Sequence, residues 1–435
     1  MPIRLLLAAA LALTLLTVPA AARAASYVPG EVIVKYRAGT AETTRERLER
    51  LAGTNTERAL ASGSEQLVIE DGESVRETVA ELRDDPNVAY AVPNYRAQAS
   101  ALPNDPGLAR QWNFLGGFGI GMEEAWALAI RRGAPGGRGA LVAVLDSGVA
   151  YERRGRYRRA PDLRRSTFVK GYDFVGHDGH PNDVFGHGTH VAGTIAQATN
   201  NGVATAGIAY RARIMPLRVL DWKGSGDSVA ISRAVRYAAR RGADVINLSL
   251  EFPTGVRASE IPDVLGALRY ARQKGVTVVG AAGNQADGSV AYPSRASTVI
   301  AVGATTANGC EAEYSNAGSD LDVVAPGGGI DAPNDDNPWD LAHCRPDESG
   351  RPIYQQTFTH GVRRFGLPGG YEGTSMASPH VSGIVALLIA TKRLGRNPSP
   401  ELVKAHLEAT ATDLGPPGFD DRYGHGLVNA AAALR

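Results

Sequence analysis

The sequence predicts an α/β protein with a central, mainly parallel sheet, preceded by a small α+β unit. Two observations carry this. Near-continuous apolar runs recur at 140–145, 245–246, 276–279 and 299–302, with helical stretches between them at 191–198, 229–240 and 262–274. Strands that are apolar on both faces and alternate with helices form a parallel sheet covered on both sides. Before residue 97 the elements are shorter, and their order is strand–helix–strand–strand–helix–strand, that of a split βαβ unit.

The elements follow in order. Residues 1–25 read as a signal peptide: Arg4 gives a positive start, 5–18 is apolar, and Ala22-Arg23-Ala24 places small residues at the cleavage spacing. The apolar run is too short to span a bilayer comfortably, and no later stretch reads as apolar enough to do so, so no stable membrane anchor is expected. Residues 26–97 form the small unit. Glu31-Val-Ile-Val-Lys-Tyr36 alternates as a strand, 43–51 sets Leu48 and Leu51 at helical spacing, and 66–69 is another strand. Val75, Val79 and Leu82 recur at i, i+4 and i+7 in a helix that Asp85-Pro86 stops, and 88–92 is the last strand. Residues 98–107, with Pro103 and Pro106, read as a linker and the start of the main domain, 108–435. Within that domain 328–370 is rich in Gly, Pro and Asp and is expected to be a long surface insertion.

Composition narrows the function classes. Of 435 residues, 43% are hydrophobic, which is enough to build a packed core, and the net charge is +1. Such a balance gives no electrostatic case for nucleic acid or for a membrane surface. Seven arginines crowd residues 151–165, read as a solvated loop. The two cysteines, Cys310 and Cys344, suit an exported protein. A bond between them would close a loop worth roughly 3–4 kcal/mol in the chain-entropy model. Two free thiols are the alternative, which sequence leaves open.

Three motifs carry chemistry. Val144-Leu145-Asp146-Ser147-Gly148 puts a carboxylate at the end of a buried strand, where α/β sheets place their sites. Gly186-His187-Gly188-Thr189-His190 opens a helix with a histidine between glycines. Gly373-Thr374-Ser375-Met376-Ala377 starts an apolar helix with a serine. A serine hydroxyl is a weak nucleophile and needs an adjacent base. Imidazole titrates near working pH, so it can take and return a proton. A buried carboxylate fixes its tautomer. Singly, a strand-end aspartate is often a helix cap or an ion-pair partner, and a serine before a helix is usually an N-cap. His187 and His190 also stand at metal-ligand spacing, but no third ligand accompanies them.

Together, and in the order Asp, His, Ser, the motifs resemble those of the subtilisin family of serine proteases, over nearly all of the chain after about residue 104. The resemblance implies a subtilisin-like, three-layer catalytic domain with a central mainly parallel sheet, and an activity as a secreted or periplasmic serine endopeptidase. Asp146, His187 and Ser375 are then the triad. Residues 27–95 are similar to the family's inhibitory prodomain, a small α+β ferredoxin-like unit. The chain would be an autoprocessed zymogen, cut between about residues 95 and 103. Ala281-Ala282-Gly283-Asn284 resembles the family's oxyanion segment, so Asn284 and the Ser375 N–H are the implied oxyanion donors, with Ala281, Ala282 and Gly283 beside the substrate. Gly224-Ser225-Gly226 and Ser249-Leu250 resemble the two segments that hold substrate as an added strand. One residue departs from the pattern: Glu251 stands where the family usually has glycine. Asp105, Asp162 and Asn201, with carbonyls of Ala198, Val203 and Thr205, resemble the strong calcium site of the thermitase-like branch, so structural calcium is expected and no catalytic cofactor. Asp173, Asp178 and Asp183 offer a weaker second set. The implied partners are protein or peptide substrates and the chain's own prodomain. The rival from another class is a non-catalytic binding scaffold of the same fold.

Overall fold

The structure is a computed structural model that describes residues 27–95, 102–333, 338–346 and 350–435. The expected signal peptide and most of the expected cleavage window, 96–101, lie outside the described residues. The chain divides into two compact units, Met1–Ala99 and Ser100–Arg435.

In the first unit the order is β1 (Tyr27–Tyr36), α1 (Glu42–Leu51), β2 (Thr54–Ala59), β3 (Glu65–Ile69), α2 (Val75–Asp84) and β4 (Val88–Tyr95). These strands make a four-stranded sheet in the order β2-β3-β1-β4, with antiparallel pairs. Val32, Val34 and Leu67 on the sheet pack against Leu48, Val79 and Leu82 of the helices. Ser74 caps α2 through Glu77, in a reciprocal capping box. Strand β2 is Thr-Asn-Thr-Glu-Arg-Ala and lies at the sheet edge, mostly exposed. With no buried face of its own, it carries no apolar pattern for a sequence reading to find.

The second unit is the α/β domain. Its elements are α3 (Met122–Arg131), β5 (Leu141–Asp146), β6 (Thr167–Phe168), β7 (Tyr172–Asp173), α4 (His187–Ala196), β8 (Arg213–Arg218), α5 (Ser228–Arg240), β9 (Val245–Leu248), α6 (Pro262–Gln273), β10 (Thr277–Ala281), β11 (Val299–Thr305), β12 (Val323–Pro326), α7 (Pro338–His343), β13 (Thr357–His360), β14 (Arg364–Gly366), α8 (Thr374–Thr391), α9 (Pro400–Thr410) and α10 (Ala430–Leu434). The sheet runs β12-β11-β10-β9-β5-β8-β6, all parallel, with β7 also on β8. Every residue of β5, β9, β10, β11 and β12 is buried. One face packs α4 and α8 through Val142, Val144, Ile195, Val381 and Val385. The other packs α5 and α6 through Ala143, Leu145, Val235 and Leu268. That is the expected three-layer arrangement.

The chain leaves β5 for β6 to β8 on one side and returns to β9 on the other. The strand order therefore reverses at β5, and a crevice opens at its carboxyl end. Asp146 is the last residue of β5.

Two expectations need correction. Helix α8 is long and apolar enough to cross a membrane by length and composition, contrary to the sequence reading. It is instead the core helix, with 83% of its span buried in the protein. Nor is 328–370 wholly a surface insertion. Ile353, Gln355, Gln356 and Thr357 are buried. Gln355 and Gln356 bond to Thr205, Ala206 and the Asp162 N–H, and the Thr357 hydroxyl donates to the Gly186 carbonyl. At 355–357 the polar side chains serve hydrogen bonds inside the domain rather than water.

Cys310 and Cys344 are joined in a disulfide, 34 residues apart, with Cα atoms 5.7 Å from each other. Replacing both with alanine is expected to lower unfolding free energy by about 3 kcal/mol, because the unfolded chain regains loop entropy. Urea unfolding of the double variant against the parent protein checks it.

Candidate active site

Asp146, His187 and Ser375 come to one crevice from three different elements. Asp146 is fully buried at the end of β5. Its Oδ1 accepts the Ser147 N–H at 2.7 Å. The His187 Nδ1–H donates to Oδ1 and Oδ2 at 2.8 and 2.9 Å. This fixes the tautomer and leaves Nε2 as the basic nitrogen. Burial opposes charge on the His187 ring, but the Asp146 charge and hydrogen bond outweigh it. With Asp183 adding, they hold the imidazole above its ordinary value.

Glycine lets the helix approach the strand this closely. A Cβ on Gly188 would collide with the Gly148 carbonyl and press on the Asp146 side chain. Asp183 sets the start of α4. Its Oδ1 accepts the N–H groups of Phe185 and Gly186 and the Ser147 hydroxyl, and its Oδ2 accepts the Thr189 N–H and hydroxyl. Sequence reasoning missed this role. The available signal was an acid four residues before the histidine, in a turn that precedes a helix. Asp183 is thereby committed to the α4 turn, while Asp173 binds Arg218 and its own loop N–H groups. The second acidic set does not converge.

The two neighbouring histidines are structural. The His190 Nε2–H donates to the Ile353 carbonyl at 3.0 Å, and the ring stacks on Tyr371 at 4.3 Å. Burial pushes it down to about 3. His380 donates Nδ1–H to Met376 O and is pushed by burial to about 4. Both rings stay neutral, and His190 is turned away from His187's partners.

Ser375 is the second residue of α8, where N–H groups have no partner within the helix. Its hydroxyl donates to the Ser249 carbonyl at 3.3 Å. The Ser249 hydroxyl in turn donates to the Ser375 carbonyl at 2.9 Å and lies 2.8 Å from the Ser378 hydroxyl. The end of β9 is thus pinned to the start of α8. Asn284 follows β10. Its Oδ1 accepts the Thr374 N–H at 2.8 Å and the Thr374 hydroxyl at 3.1 Å. That anchors the oxygen and turns the NH2 toward the crevice. Gly373 is required there. Its φ of 144° is one that L side chains rarely adopt, and a Cβ there would press on Asn284 Oδ1 at 3.3 Å.

His187, Ser375 and Asn284 line one cavity of about 420 Å³, together with Gly224, Ser225, Gly226, Ser249, Leu250 and Glu251. The two expected substrate segments therefore face each other across it. Ala281, Ala282 and Gly283 do not line it. Ala281 and Ala282 are buried, and their backbone pairs with β11 and Ala291, while the Gly283 N–H donates to Thr374 Oγ1. Their part is to hold Asn284, because the strand end that carries them is fully hydrogen-bonded scaffold. Phe185 and Phe252, which sequence did not single out, supply apolar walls.

The expected calcium residues also converge. The Asn200 and Asn201 N–H groups donate to Asp105, and Asn201 Nδ2 and the Thr205 N–H donate to Asp162. The Asn201 Oδ1 accepts the Val203 N–H, and the Ala198 N–H reaches the Asp162 carbonyl. Burial pushes the Asp162 carboxyl up to about 6. A raised carboxyl opposes folding as pH rises through that value. Two buried acids and a carboxamide beside an exposed turn are a hard-oxygen donor set of the kind that calcium takes.

Residues 137–426 match the subtilase family, and residues 16–94 match the fervidolysin N-terminal prodomain. A thermophilic serine proteinase of Bacillus sp. (strain AK1) is 35% identical over 92% of this chain and 86% of its own length. An extracellular protease of Xanthomonas campestris is 33% identical over 88% of this chain and 66% of its own length. A solved protease of Pseudoalteromonas arctica is similar with a TM-score of 0.62 and 30% identity, covering 77% of this chain and 99% of that one.

Because the His187 ring must be neutral to act as a base, activity is expected to rise with pH along a limb lying above the ordinary imidazole value of about 6.5. Asp146→Asn is expected to lower kcat by roughly 10⁴-fold and to move that limb to lower pH. The kcat/KM–pH profile of both proteins checks the pair of expectations.

Proposed function

Since the chain belongs to the subtilase family of serine endopeptidases, we propose that it is made as an exported zymogen and cuts proteins through an acyl-enzyme on Ser375. The observation that carries the reading is the 2.8 Å contact of buried Asp146 with His187, whose ring lines the same cavity as Ser375 and Asn284.

The steps follow from the groups in place. Substrate lies between Gly224-Ser225-Gly226 and Ser249-Leu250 as an added strand. The Ser375 hydroxyl turns to His187 Nε2, which takes its proton as Oγ attacks the peptide carbonyl. The imidazolium that forms is stabilised by Asp146. The carbonyl oxygen gains charge and is met by the Asn284 NH2 and the Ser375 N–H. His187 returns the proton to the leaving amine. Water then enters and attacks the ester as His187 takes its proton; the bond to Ser375 Oγ breaks, His187 returns the proton to that oxygen, and the acid product leaves. No catalytic cofactor is needed.

The first unit acts as the chain's own inhibitory prodomain until it is removed by self-cleavage in the 95–103 segment. The prodomain match at 16–94 supports this. Export is supported by the signal-type start of the sequence and by the name of the Xanthomonas relative, an extracellular protease. The disulfide agrees with an oxidising compartment. Calcium, held by Asp105, Asp162 and Asn201 with nearby carbonyls, stabilises the loop that follows α4. It offsets the raised carboxyl of Asp162.

Two outcomes test the reading. Ser375→Ala is expected to accumulate as the unprocessed precursor while wild type matures. Intact mass distinguishes them, and full maturation of the purified variant would contradict self-cleavage. A calcium chelator is expected to lower the thermal midpoint of wild type and to have little effect on Asp162→Asn, read by calorimetry on both proteins.

A further inference from the structure

Glu251 is the one residue of the substrate segments that departs from the family pattern, and the cavity places it against the reacting groups. Its Oε2 accepts from Asn284 Nδ2 at 3.4 Å, and its Oε1 accepts from Gln285 Nε2 at 2.5 Å. Thr374 fixes the Asn284 oxygen, so the position of the NH2 is set. The carboxylate thus stands one hydrogen bond from the donor that meets the attacked carbonyl. The substrate side chain nearest to that carbonyl belongs to the residue whose bond is cut. A substrate whose carbonyl met the Asn284 NH2 would therefore bring that side chain nearest to Glu251.

Among the described residues no ion pair reaches Glu251, and its hydrogen-bond partners are neutral: the side-chain amides of Asn284 and Gln285 and the Asn284 backbone N–H. Burial, the largest influence, holds its carboxyl above the ordinary range despite those bonds. A partly buried acid without a cation, on the wall of a cleft that admits peptides, is a site that a substrate cation completes.

We propose that Glu251 determines primary specificity, selecting lysine or arginine as the residue whose carbonyl is attacked. The proposal rests on the proteolytic reading above and adds its substrate class. It also links recognition to rate. In the free enzyme Glu251 engages the Asn284 NH2. A substrate ammonium or guanidinium takes over the carboxylate and releases that NH2 to the developing oxyanion. A neutral side chain leaves Glu251 competing for the donor, so discrimination falls on kcat as well as KM.

The test uses the matured enzyme and matched peptide p-nitroanilides that differ only in lysine, arginine or leucine at the cleaved residue. Wild type is expected to favour lysine and arginine over leucine by about tenfold or more in kcat/KM, part of it in kcat. Glu251→Gln and Glu251→Gly are each expected to bring the ratio close to one. Active sites are counted in every variant with a serine-directed phosphonylating reagent. Labelled enzyme that prefers leucine, or that keeps its ratio in both variants, overturns the role of Glu251 and leaves the protease reading standing. Wild type that takes no label and cuts no peptide overturns the protease reading and this proposal with it.

Discussion

Asp146 has no exposed surface, yet it must be ionised for the site to work, and the domain is arranged around meeting that charge. Taking a carboxylate out of water costs several kcal/mol even after relaxation. Here the cost is offset by the Ser147 N–H at 2.7 Å and by the His187 ring at 2.8 and 2.9 Å. The parallel sheet puts the carboxylate at the reversal of strand order, the Gly188 contact lets the helix close on it, and Asp183 holds the turn that aims the histidine. A change in any of these would leave a buried charge without its partner.

The remaining groups are positioned by the same kind of economy, one bond fixing two elements. Ser249 joins β9 to α8 through its hydroxyl while its carbonyl receives the Ser375 hydroxyl. Thr374 holds Asn284 by two hydrogen bonds, so the donor side of the amide has one direction left. Residues 353–357 brace α4 from behind, through the Ile353 carbonyl on His190 and the Thr357 hydroxyl on Gly186. The same stretch reaches the loop of Asp162 and Thr205. The catalytic helix and the candidate calcium loop therefore share one support.

Much of this was legible in the sequence, for physical reasons. Strands buried on both faces must be apolar, so 140–145 and 299–302 announced the sheet without help from tertiary contacts. Nucleophilic catalysis restricts residue types so narrowly that Asp146, His187 and Ser375 stood out in their motifs. What stayed hidden depends on who touches whom. Gly, Pro and Asp at 328–370 look like loop composition, and only the fold turns Gln355 and Gln356 into buried hydrogen-bonding groups. Ala281 and Ala282 looked like pocket walls because they flank Asn284, whereas sheet pairing spends their backbone inside the scaffold. Strand β2 has no apolar face, and α8 is apolar for the core rather than for lipid. The direction of the Glu251 side chain was out of reach as well, since a glutamate beside a loop points to water as readily as to a neighbour's amide.

The central claim is that His187, oriented by Asp146, turns one serine into the nucleophile. The most direct measurement is the site and stoichiometry of phosphonylation, mapped by peptide mass in the wild type and in His187→Ala, both shown to be folded. The account predicts one adduct per wild-type molecule, on Ser375, and its loss in His187→Ala. An adduct on another residue, or equal labelling of Ser375 without His187, would contradict it.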